Sequence, residues 1–255
     1  MSAKPLLADH EYLAVHRRVW AQKPVLRRIY HEQYYARLLA HRAALPGPTV
    51  EIGSGPGFMA EADPSVIRTD ILASPYVQLA ADAHALPLAS ASCANIVGLD
   101  ILHHFNRPAA VLQEVARCLK PGGRFVLVEP WITPGSRLIY TYLHQEGCDM
   151  QAAPWLNDDQ FSAGSAKQAF DGNPAIPYLL WRHGQQALAE AAPSLRLITL
   201  EKFSAFTYLL SMGFKPASFL PAPLYTPLYA LERMTAPLWR DLIAIRALLV
   251  WEKTA

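Results

Sequence analysis

The feature that most constrains this chain is a glycine-rich stretch that follows a short apolar run. Gly53, Gly55 and Gly57 stand at alternate positions directly after residues 49–52, a run typical of a buried strand. Glycines this close together break a helix, and an ordinary hairpin turn does not need three of them. A loop without Cβ atoms lets a ligand lie against backbone N–H groups near the N-terminus of a helix. The glycines also fit a tight strand-to-helix turn, so this loop by itself leaves both interpretations open.

Further motifs follow the glycine loop along the chain. Residues 66–71 predict a second short strand, which carries Asp70 near its end. In doubly wound sheets, an acid at the end of the second strand accepts hydrogen bonds from ribose hydroxyls. The remaining motifs are residues 81–88, the strand-like run 94–99 with residues 100–105 after it, and residues 119–129, which turn the chain into a strand predicted over 124–129.

Taken in this order and at this spacing, the motifs resemble those of the class I S-adenosylmethionine-dependent methyltransferases. The likeness is greatest to the small-molecule branch that includes the ubiquinone and menaquinone biosynthesis methyltransferases, and it covers residues 45–130. A nicotinamide-dependent dehydrogenase would carry G-x-G-x-x-G, whereas here the third glycine comes one residue early. The resemblance implies an α/β fold with a doubly wound, Rossmann-like, mostly parallel seven-stranded sheet whose last strand is antiparallel.

The resemblance also implies that S-adenosylmethionine is the cofactor, and it assigns ten residues to the cofactor site. Glu51 would contact the methionyl ammonium, and the glycine loop would lie against the methionyl part and the ribose. Asp70 would take the ribose hydroxyls, Ile71 would pack on the adenine, and Asp82 would accept from the adenine amino group. Ordinary solvated loop carboxylates are the alternative for Asp70 and Asp82. The full set is Glu51, Gly53, Ser54, Gly55, Gly57, Asp70, Ile71, Asp82, Ala83 and Leu99.

Candidate catalytic residues follow the fourth predicted strand. Methyl transfer from a sulfonium is an in-line displacement, so a general base is needed only where the nucleophile carries a proton that must leave. Asp100, His103 and His104 lie where this fold opens onto its active site. We select His104 with Asp100 as the catalytic pair, and the alternative is a histidine that hydrogen-bonds locally at a helix start. Glu129, at the end of the fifth strand, is a further candidate on the acceptor side.

Composition and charge limit the other classes of function. A chain of 255 residues can form one sizeable α/β domain, and a net charge of +2 does not suggest nucleic acid as a partner. The three cysteines have no metal-ligand spacing and suit a reducing cytoplasm. His144, Glu146 and Asp149 form no recognisable ligand set, so no metal is predicted. Neither a signal peptide nor a run of 18 apolar residues is visible, so a cytoplasmic protein is expected.

The pattern outside the motifs predicts a helical lid and two insertions. Residues 10–43 predict helices broken at Pro24, and we expect residues 1–45 to form a lid over the cofactor. Residues 46–255 form the methyltransferase domain, with insertions at about 131–194 and 203–244. Only a turn or two of helix fits after the glycine loop, and Pro108 is expected to begin a helix. The remaining predicted elements are a helix over 131–146, a long polar loop through residue 169, and strands at 195–202 and 245–253.

The second insertion is too apolar for a free loop. It holds seven aromatic residues between 203 and 229, and Leu238 and Trp239 follow near Arg233 and Arg240. Such a segment is expected either to cap the acceptor pocket or to meet lipid at the inner face of the membrane as a peripheral contact. The acceptor is therefore expected to be a small molecule or a lipid-linked one, and the methylation an O-methylation. The sequence does not identify the acceptor or the oligomeric state.

Two other functions remain open at this point. A non-catalytic S-adenosylmethionine-binding regulatory subunit would keep the cofactor motifs and lack turnover with every acceptor. A transfer of the kind that spermidine synthases perform would require a paired-acid polyamine site, and the sequence shows no obvious one.

Overall fold

A seven-stranded sheet forms the centre of the molecule. The computed structural model describes residues 9–144, 147–155 and 172–254. The strands are β1 (Thr49–Ile52), β2 (Ile67–Asp70), β3 (Leu79–Ala80), β4 (Cys93–Leu99), β5 (Leu119–Pro130), β6 (Leu195–Phe203) and β7 (Arg246–Lys253). Their order is β3-β2-β1-β4-β5-β7-β6, and β7 runs antiparallel to both of its neighbours while the pairs among β1 to β5 are parallel. The predicted fold class is confirmed.

Helices cover both faces of this sheet. They are α1 (Asp9–Gln22), α2 (Pro24–Ile29), α3 (Ala36–Ala40), α4 (Met59–Ala62), α5 (Pro108–Cys118), α6 (Pro134–Tyr142), α7 (Ile176–His183), α8 (Gln185–Ala191), α9 (Phe206–Ser211) and α10 (Ala222–Ile243). A π-helical turn, Tyr30–Tyr35, joins α2 to α3, and a 3-10 turn, Leu102–His104, follows β4. The predicted break at Pro24, the helix start at Pro108 and the very short helix after the glycine loop are confirmed.

The two faces of the sheet bury different helices because successive side chains of a strand point to opposite sides. Ile96 packs in a cluster with Leu112 of α5 and Leu180 of α7. Its neighbour Val97 packs in a second cluster with Leu26 of α2 and Tyr225 of α10. Strands that are buried on both faces are apolar along most of their length, and β4 has this pattern apart from Asn95.

Two predicted boundaries differ from the structure. β5 begins at Leu119 rather than at residue 124, and the residues between them leave the ladder, since Cys93 pairs with Leu119 and Asn95 next pairs with Arg124. Gly122, with a φ of +76°, allows this local turn inside the strand. The predicted helix over 131–146 is confirmed only over Pro134–Tyr142, and residues 145–146 lie outside the described part of the chain.

The second insertion forms helices that the sequence did not predict. Prolines normally end a helix, yet Pro227 and Pro237 both lie inside α10. One side of α10 buries Tyr225, Glu232 and Trp239 at seven-residue spacing, and this packing stabilises the helix despite its prolines. Residues 156–171, which include most of the polar loop predicted through residue 169, lie outside the described residues. Among the described residues, no helix is both long enough and apolar enough to cross a membrane.

Candidate active site

The glycine loop connects β1 to α4 at the point where the strand order reverses, between β1 and β4. Gly53, Gly55 and Gly57 have φ values of +67°, +47° and +75°, in the region that favours glycine. A Cβ on Gly53 would lie 2.2 Å from Ile101 Cδ1, and one on Gly57 would lie 2.7 Å from the Tyr76 carbonyl oxygen. On Gly55, by contrast, a Cβ would meet only Leu13, at 3.9 Å, among the described residues. Close packing therefore requires glycine at positions 53 and 57, whereas Gly55 leaves room beside the backbone for a ligand.

Glu51 places a buried carboxyl group directly before this loop. The residue is only 4% exposed, and its Oε2 has no hydrogen-bond partner among the described residues. Burial raises the pKa of Glu51 to about 7, while the Ser54 hydroxyl acts in the opposite direction. The Ser54 N–H donates to the Thr69 carbonyl at 2.9 Å, which fixes the loop against β2. A buried acid without a full set of donors is suited to a ligand that brings a cationic or N–H group.

Asp70 ends β2 and its carboxylate faces the loop. Its Oδ2 accepts from the Gly55 N–H at 2.7 Å, and its Oδ1 accepts from the Leu72 N–H at 2.9 Å. Ile71 beside it is 62% exposed, which is unusual for a large apolar side chain next to a structured loop. The predicted ribose residue Asp70 is thus brought together with the glycine loop, and Ile71 follows it directly in the chain.

Asp82 and Ala83 lie on the loop after β3. The Asp82 carboxylate is half-exposed and accepts from the His84 N–H at 2.9 Å and contacts His84 Nδ1 at 2.7 Å. Partial burial opposes ionisation, but the His84 hydrogen bonds prevail and hold the pKa of Asp82 below its ordinary value. Ala83 is largely buried, and Leu99, at the end of β4, is partly exposed.

The N-terminal helices cover the glycine loop. Arg17 of α1 donates from Nη1 to the Pro56 carbonyl at 2.7 Å, and Trp20 stacks on Phe58 with ring centroids 3.9 Å apart. The three tyrosines of the following helical segment are all buried: Tyr30, Tyr34 and Tyr35. Burial, followed by the charge of Glu51, raises the pKa of Tyr35 well above its ordinary value, so this ring lies close to the loop acid.

A buried histidine–carboxylate pair occupies the other side of the site. His103 Nδ1 lies 2.8 Å from Glu129 Oε2, and both residues are almost fully buried. The remaining oxygen, Oε1, accepts from the Ile101 N–H at 2.8 Å and from the Leu102 N–H at 2.7 Å. Ile101 in turn fills the space above Gly53 and Gly98. The Glu129 carboxylate therefore holds the 3-10 turn in place and orients the His103 imidazole. Through Ile101 it also connects both to the glycine loop.

His104 lies beside this pair. Its ring centroid is 4.1 Å from that of His103, and the side chain is half-buried. Gly172 packs directly on both rings, since a Cβ there would lie 2.8 Å from His103 Cδ2 and from His104 Nδ1. The neighbouring Asn173 donates its N–H to the His103 carbonyl at 3.0 Å. The segment from residue 172 thus closes over the histidines.

A buried arginine, Arg246, completes the site, and sequence reasoning did not single it out. It opens β7, and its Nη1 forms an ion pair with Oδ1 of Asp100. Asp100 has a φ of +56°, a conformation that aspartate tolerates better than most residues. The Arg246 guanidinium carbon lies 5.4 Å and 5.3 Å from the ring centroids of Tyr34 and Tyr208. The available signal was a charged residue directly before the apolar run 247–251.

Asp100, His103 and Glu129 carry ligand-type atoms within 4.8 Å of one another, the arrangement of a metal site. The donor set does not fit a cation, because both Glu129 oxygens accept hydrogen bonds and a guanidinium lies against Asp100. We therefore interpret these side chains as a polar network that positions His103.

Comparisons with known proteins agree with this architecture. Residues 50–127 match the family described as a methyltransferase domain. The fold is similar to that of an S-adenosylmethionine-dependent methyltransferase from Archaeoglobus fulgidus, with a TM-score of 0.51 and 14% identity over 88% of this chain and 94% of that chain. A Bacillus halodurans protein solved as a candidate methyltransferase has a TM-score of 0.50 and 18% identity, with 87% and 99% covered. At these identities the likeness shows the fold.

The predicted resemblance is confirmed: residues 50–127 match a methyltransferase domain, and this match and the fold together support a class I S-adenosylmethionine-dependent methyltransferase. S-adenosylmethionine is its cofactor. The residues present fit this cofactor, because the orphaned Glu51 oxygen, the open side of Gly55 and the exposed Ile71 each leave a contact for a ligand to make.

Curated relatives correct one prediction. The tRNA (carboxymethyluridine(34)-5-O)-methyltransferase ALKBH8 of Macaca fascicularis is 27% identical over 167 residues, 60% of this chain and 22% of that protein. The ALKBH8 of Mus musculus is 29% identical over 145 residues, 51% of this chain and 20% of that protein. The chain thus spans about a fifth of the length of these relatives. The prediction that nucleic acid is not a partner is wrong, since overall net charge does not report the local charge that an RNA would meet.

Proposed function

We propose that the chain transfers a methyl group from S-adenosylmethionine to an oxygen atom of a small-molecule or lipid-linked acceptor. The observation that carries this proposal is the buried His103–Glu129 pair, which Ile101 connects directly to the glycine loop. Bound S-adenosylmethionine supplies a methyl group on a sulfonium that already provides the leaving group. The protein then has to align the acceptor, exclude water and receive the proton of a hydroxyl.

We assign the cofactor contacts as the resemblance implies them. Glu51 receives the methionyl ammonium, residues 53–57 lie against the methionyl part and the ribose, and Asp70 binds the ribose hydroxyls. Ile71 packs on the adenine, Asp82 accepts from its amino group, and the Ala83 amide reaches a ring nitrogen, with Leu99 as a further cofactor residue. The burial of Glu51 and the exposure of Ile71 support this arrangement. The N-terminal segment 1–45 acts as the lid, supported by the contacts of Arg17 and Trp20 with the glycine loop.

We place the general base on the histidine pair. Because Glu129 Oε2 accepts from Nδ1, the proton of neutral His103 is held on Nδ1, and Nε2 is the nitrogen that takes a further proton. This geometry favours His103 over our first choice, His104, as the base. Asp100 then serves with Arg246 to shape the acceptor side of the site.

The base is tested with His103→Gln and His104→Ala, and with His183→Ala, an exposed histidine in the last turn of α7, as the matched control. His103→Gln should lower turnover by about 10²-fold or more, since proton transfer contributes on that scale. The affinity for S-adenosylhomocysteine, measured by calorimetry, should not change. If only His104→Ala lowers turnover, the pair held by Glu129 is not the base.

An exposed apolar surface supports the lipid-linked version of the proposal. We call it the α6–α10 face. Leu224, Leu231 and Leu238 recur at seven-residue spacing on α10, next to the buried side of that helix, and Leu238 is 79% exposed. The other members of the face are Met234 and Leu242 of α10, Leu138 and Tyr142 of α6, and Leu143 after it.

The charges around the α6–α10 face favour an anionic lipid surface. The sequences of α6 and α10 contain Arg137, Arg233 and Arg240 against one exposed acid, Asp241. Apolar side chains beside arginines suit the membrane interface. The predicted role of Trp239 is corrected, because this side chain is buried against Phe206.

Sedimentation with vesicles containing phosphatidylserine tests this membrane contact. The wild type should pellet at low salt, whereas Met234→Glu with Leu238→Glu should stay in solution. Leu45→Glu, which changes an exposed apolar residue outside this face, serves as the control. A wild type that remains in the supernatant would reject the membrane contact and leave a small-molecule acceptor.

An RNA acceptor is a second candidate function, favoured by the likeness to tRNA methyltransferases. Bulk tRNA, offered with labelled cofactor in the same assay, tests it. Label in the RNA would identify the acceptor class, and label confined to lipid or small-molecule fractions would reject this candidate.

A further inference from the structure

Arg246 has a donor that nothing in the described structure uses. Its side chain is 7% exposed, and Nη1 is held by Asp100. The Nε–H, on the edge of the guanidinium beside that pair, has no hydrogen-bond partner among the described residues. Leaving a buried charged N–H without an acceptor is unfavourable, so such a donor marks a position where a ligand oxygen would be stabilised.

The location of Arg246 separates it from the cofactor loop. It opposes Pro130 at the carboxyl end of β5 and Phe203 at the end of β6. Three strand spacings of about 4.8 Å separate β7 from β1, a distance of roughly 14 Å. Apart from Leu99 at the end of β4, the motif residues of the cofactor lie on β1, in the loop after it, on and directly after β2, and after β3, which are on the opposite side of β4 from β7. A ligand group at Arg246 therefore belongs to the acceptor.

The surroundings of the guanidinium also limit its orientation. The rings of Tyr34 and Tyr208 lie within 5.4 Å and 5.3 Å of it, and the Asp100 ion pair fixes one corner. Tyr34 also shares a side-chain hydrogen bond with the guanidinium. A planar guanidinium binds carboxylate and phosphate oxygens through directed hydrogen bonds, and the Nε–H of Arg246 is a donor for one of them.

We propose that Arg246 is a specificity-determining residue that binds an anionic oxygen group of the acceptor, a carboxylate or a phosphate. This inference rests on the proposed methyl transfer and adds the chemical class of the acceptor. Neutral analogues of the acceptor would bind less tightly, because they would leave the Nε–H with a weaker partner.

The inference is tested on protein saturated with S-adenosylhomocysteine, with benzoate and inorganic phosphate as probes. The arginine Nε–H signals are followed by nuclear magnetic resonance, and Arg246→Lys, which lacks the signal, identifies that of Arg246. Benzamide, the neutral counterpart of benzoate, is titrated in parallel. Arg124→Lys is the matched control, because Arg124 bridges β5 and β7 to Glu252 at the opposite end of the same strand pair.

We expect the Arg246 signal to shift with benzoate or with phosphate and not with benzamide. A response to benzoate alone indicates a carboxylate, and a response to phosphate alone indicates a phosphate. Arg246→Lys should raise the dissociation constant of that anion by about tenfold or more, as expected for a lost charge-assisted hydrogen bond, and Arg124→Lys should not.

Two results would overturn the inference. One is an Arg246 signal that neither anion moves in the wild type, a readout that does not depend on the folding of any variant. The other is a loss of S-adenosylhomocysteine affinity in Arg246→Lys, which would assign the arginine to the cofactor carboxylate. If the wild type binds no S-adenosylhomocysteine at all, the proposed function itself fails.

Discussion

Glu51 shows how one side chain reports on the cofactor site. Its pKa is about 7 in the folded protein and 4.5 in a solvated reference, and burial is the largest cause. Below pH 4.5 Glu51 carries the proton in both the folded and the unfolded state, so its ionisation does not change the free energy of unfolding there. As the pH rises from 4.5 to 7, the unfolded chain releases the proton and the folded chain keeps it, so the free energy of unfolding falls.

The first prediction is that Glu51→Gln removes this pH dependence. Wild type should lose about 3 kcal/mol of stability relative to the variant between pH 4.5 and pH 7, from the difference in pKa. Urea unfolding of both proteins across this window measures it. Parallel stability profiles for the two proteins would show that Glu51 titrates normally in the folded state.

Asp70 carries the second prediction. Its carboxylate holds the Gly55 N–H and lies where the ribose is expected, so Asp70→Ala should weaken binding of S-adenosylhomocysteine by about 1–3 kcal/mol. Calorimetry measures the affinity. Asp63→Ala is the control, since Asp63 pairs with Arg42 at 2.9 Å outside the glycine loop. Equal affinities for all three proteins would remove Asp70 from the cofactor site.

At the scale of elements, Lys23 connects the N-terminal helices to the second insertion. It lies between α1 and α2, is buried, and burial lowers its pKa. Its three Nζ–H donors are shared among four carbonyl oxygens at the end of α9 and in the segment that leads to α10, at 2.6 Å to Ser211, 2.6 Å to Gly213, 2.9 Å to Lys215 and 3.0 Å to Ala217.

The third prediction is that Lys23→Met destabilises the fold by about 2–3 kcal/mol, the scale for hydrogen bonds to a charged group. The four carbonyls would lose their shared donor. Lys120→Met is the matched control, because Lys120 donates to one exposed carbonyl, that of Pro46. Urea unfolding measures the free energy of unfolding of both variants. If Lys23→Met is as stable as Lys120→Met, water molecules donate to the four carbonyls in place of the ammonium group.

The fourth prediction concerns the segment that closes over the histidines. A methyl group at Gly172 would lie 2.8 Å from both rings, so Gly172→Ala should displace His103 and lower turnover. A 1 Å misplacement of a catalytic group can cost about 10²-fold in rate. Affinity for S-adenosylhomocysteine should stay constant, as should turnover in the control Gly147→Ala, because a Cβ there would meet no atom of the described residues within 4 Å. Unchanged turnover in Gly172→Ala would show that the segment from residue 172 moves away from the histidines without displacing His103.

The elements differ in how well the sequence predicts them. β1, β4 and α5 carry strong local signals, namely buried apolar runs and a proline at a helix start, and these were predicted correctly. β3 has only two residues, and α10 contains two prolines, so local propensity argues against both. Their formation depends on pairing with β2 and on burial of one helix side, which are tertiary effects.

For the whole molecule, the sequence predicts the cofactor half of the site better than the acceptor half. The cofactor residues follow their strands at fixed spacing, and the parallel sheet brings those ends together. The acceptor half joins Asp100 to Arg246, and His103 to Glu129, through the pairing of β5 with β4 and β7. Such contacts between distant parts of the chain have no local signature. Net charge likewise gave the wrong expectation about nucleic acid.

The most direct test is the detection of a methylated product. Purified wild type and Glu129→Gln are incubated with S-adenosylmethionine labelled in its methyl group and with extract of the source cells, divided into small-molecule, lipid and RNA fractions. Wild type should label one fraction, and Glu129→Gln should do so about 10²-fold more slowly with unchanged affinity for S-adenosylhomocysteine. A wild type that binds S-adenosylhomocysteine yet labels no fraction would contradict the proposed catalysis and indicate a non-catalytic cofactor-binding subunit.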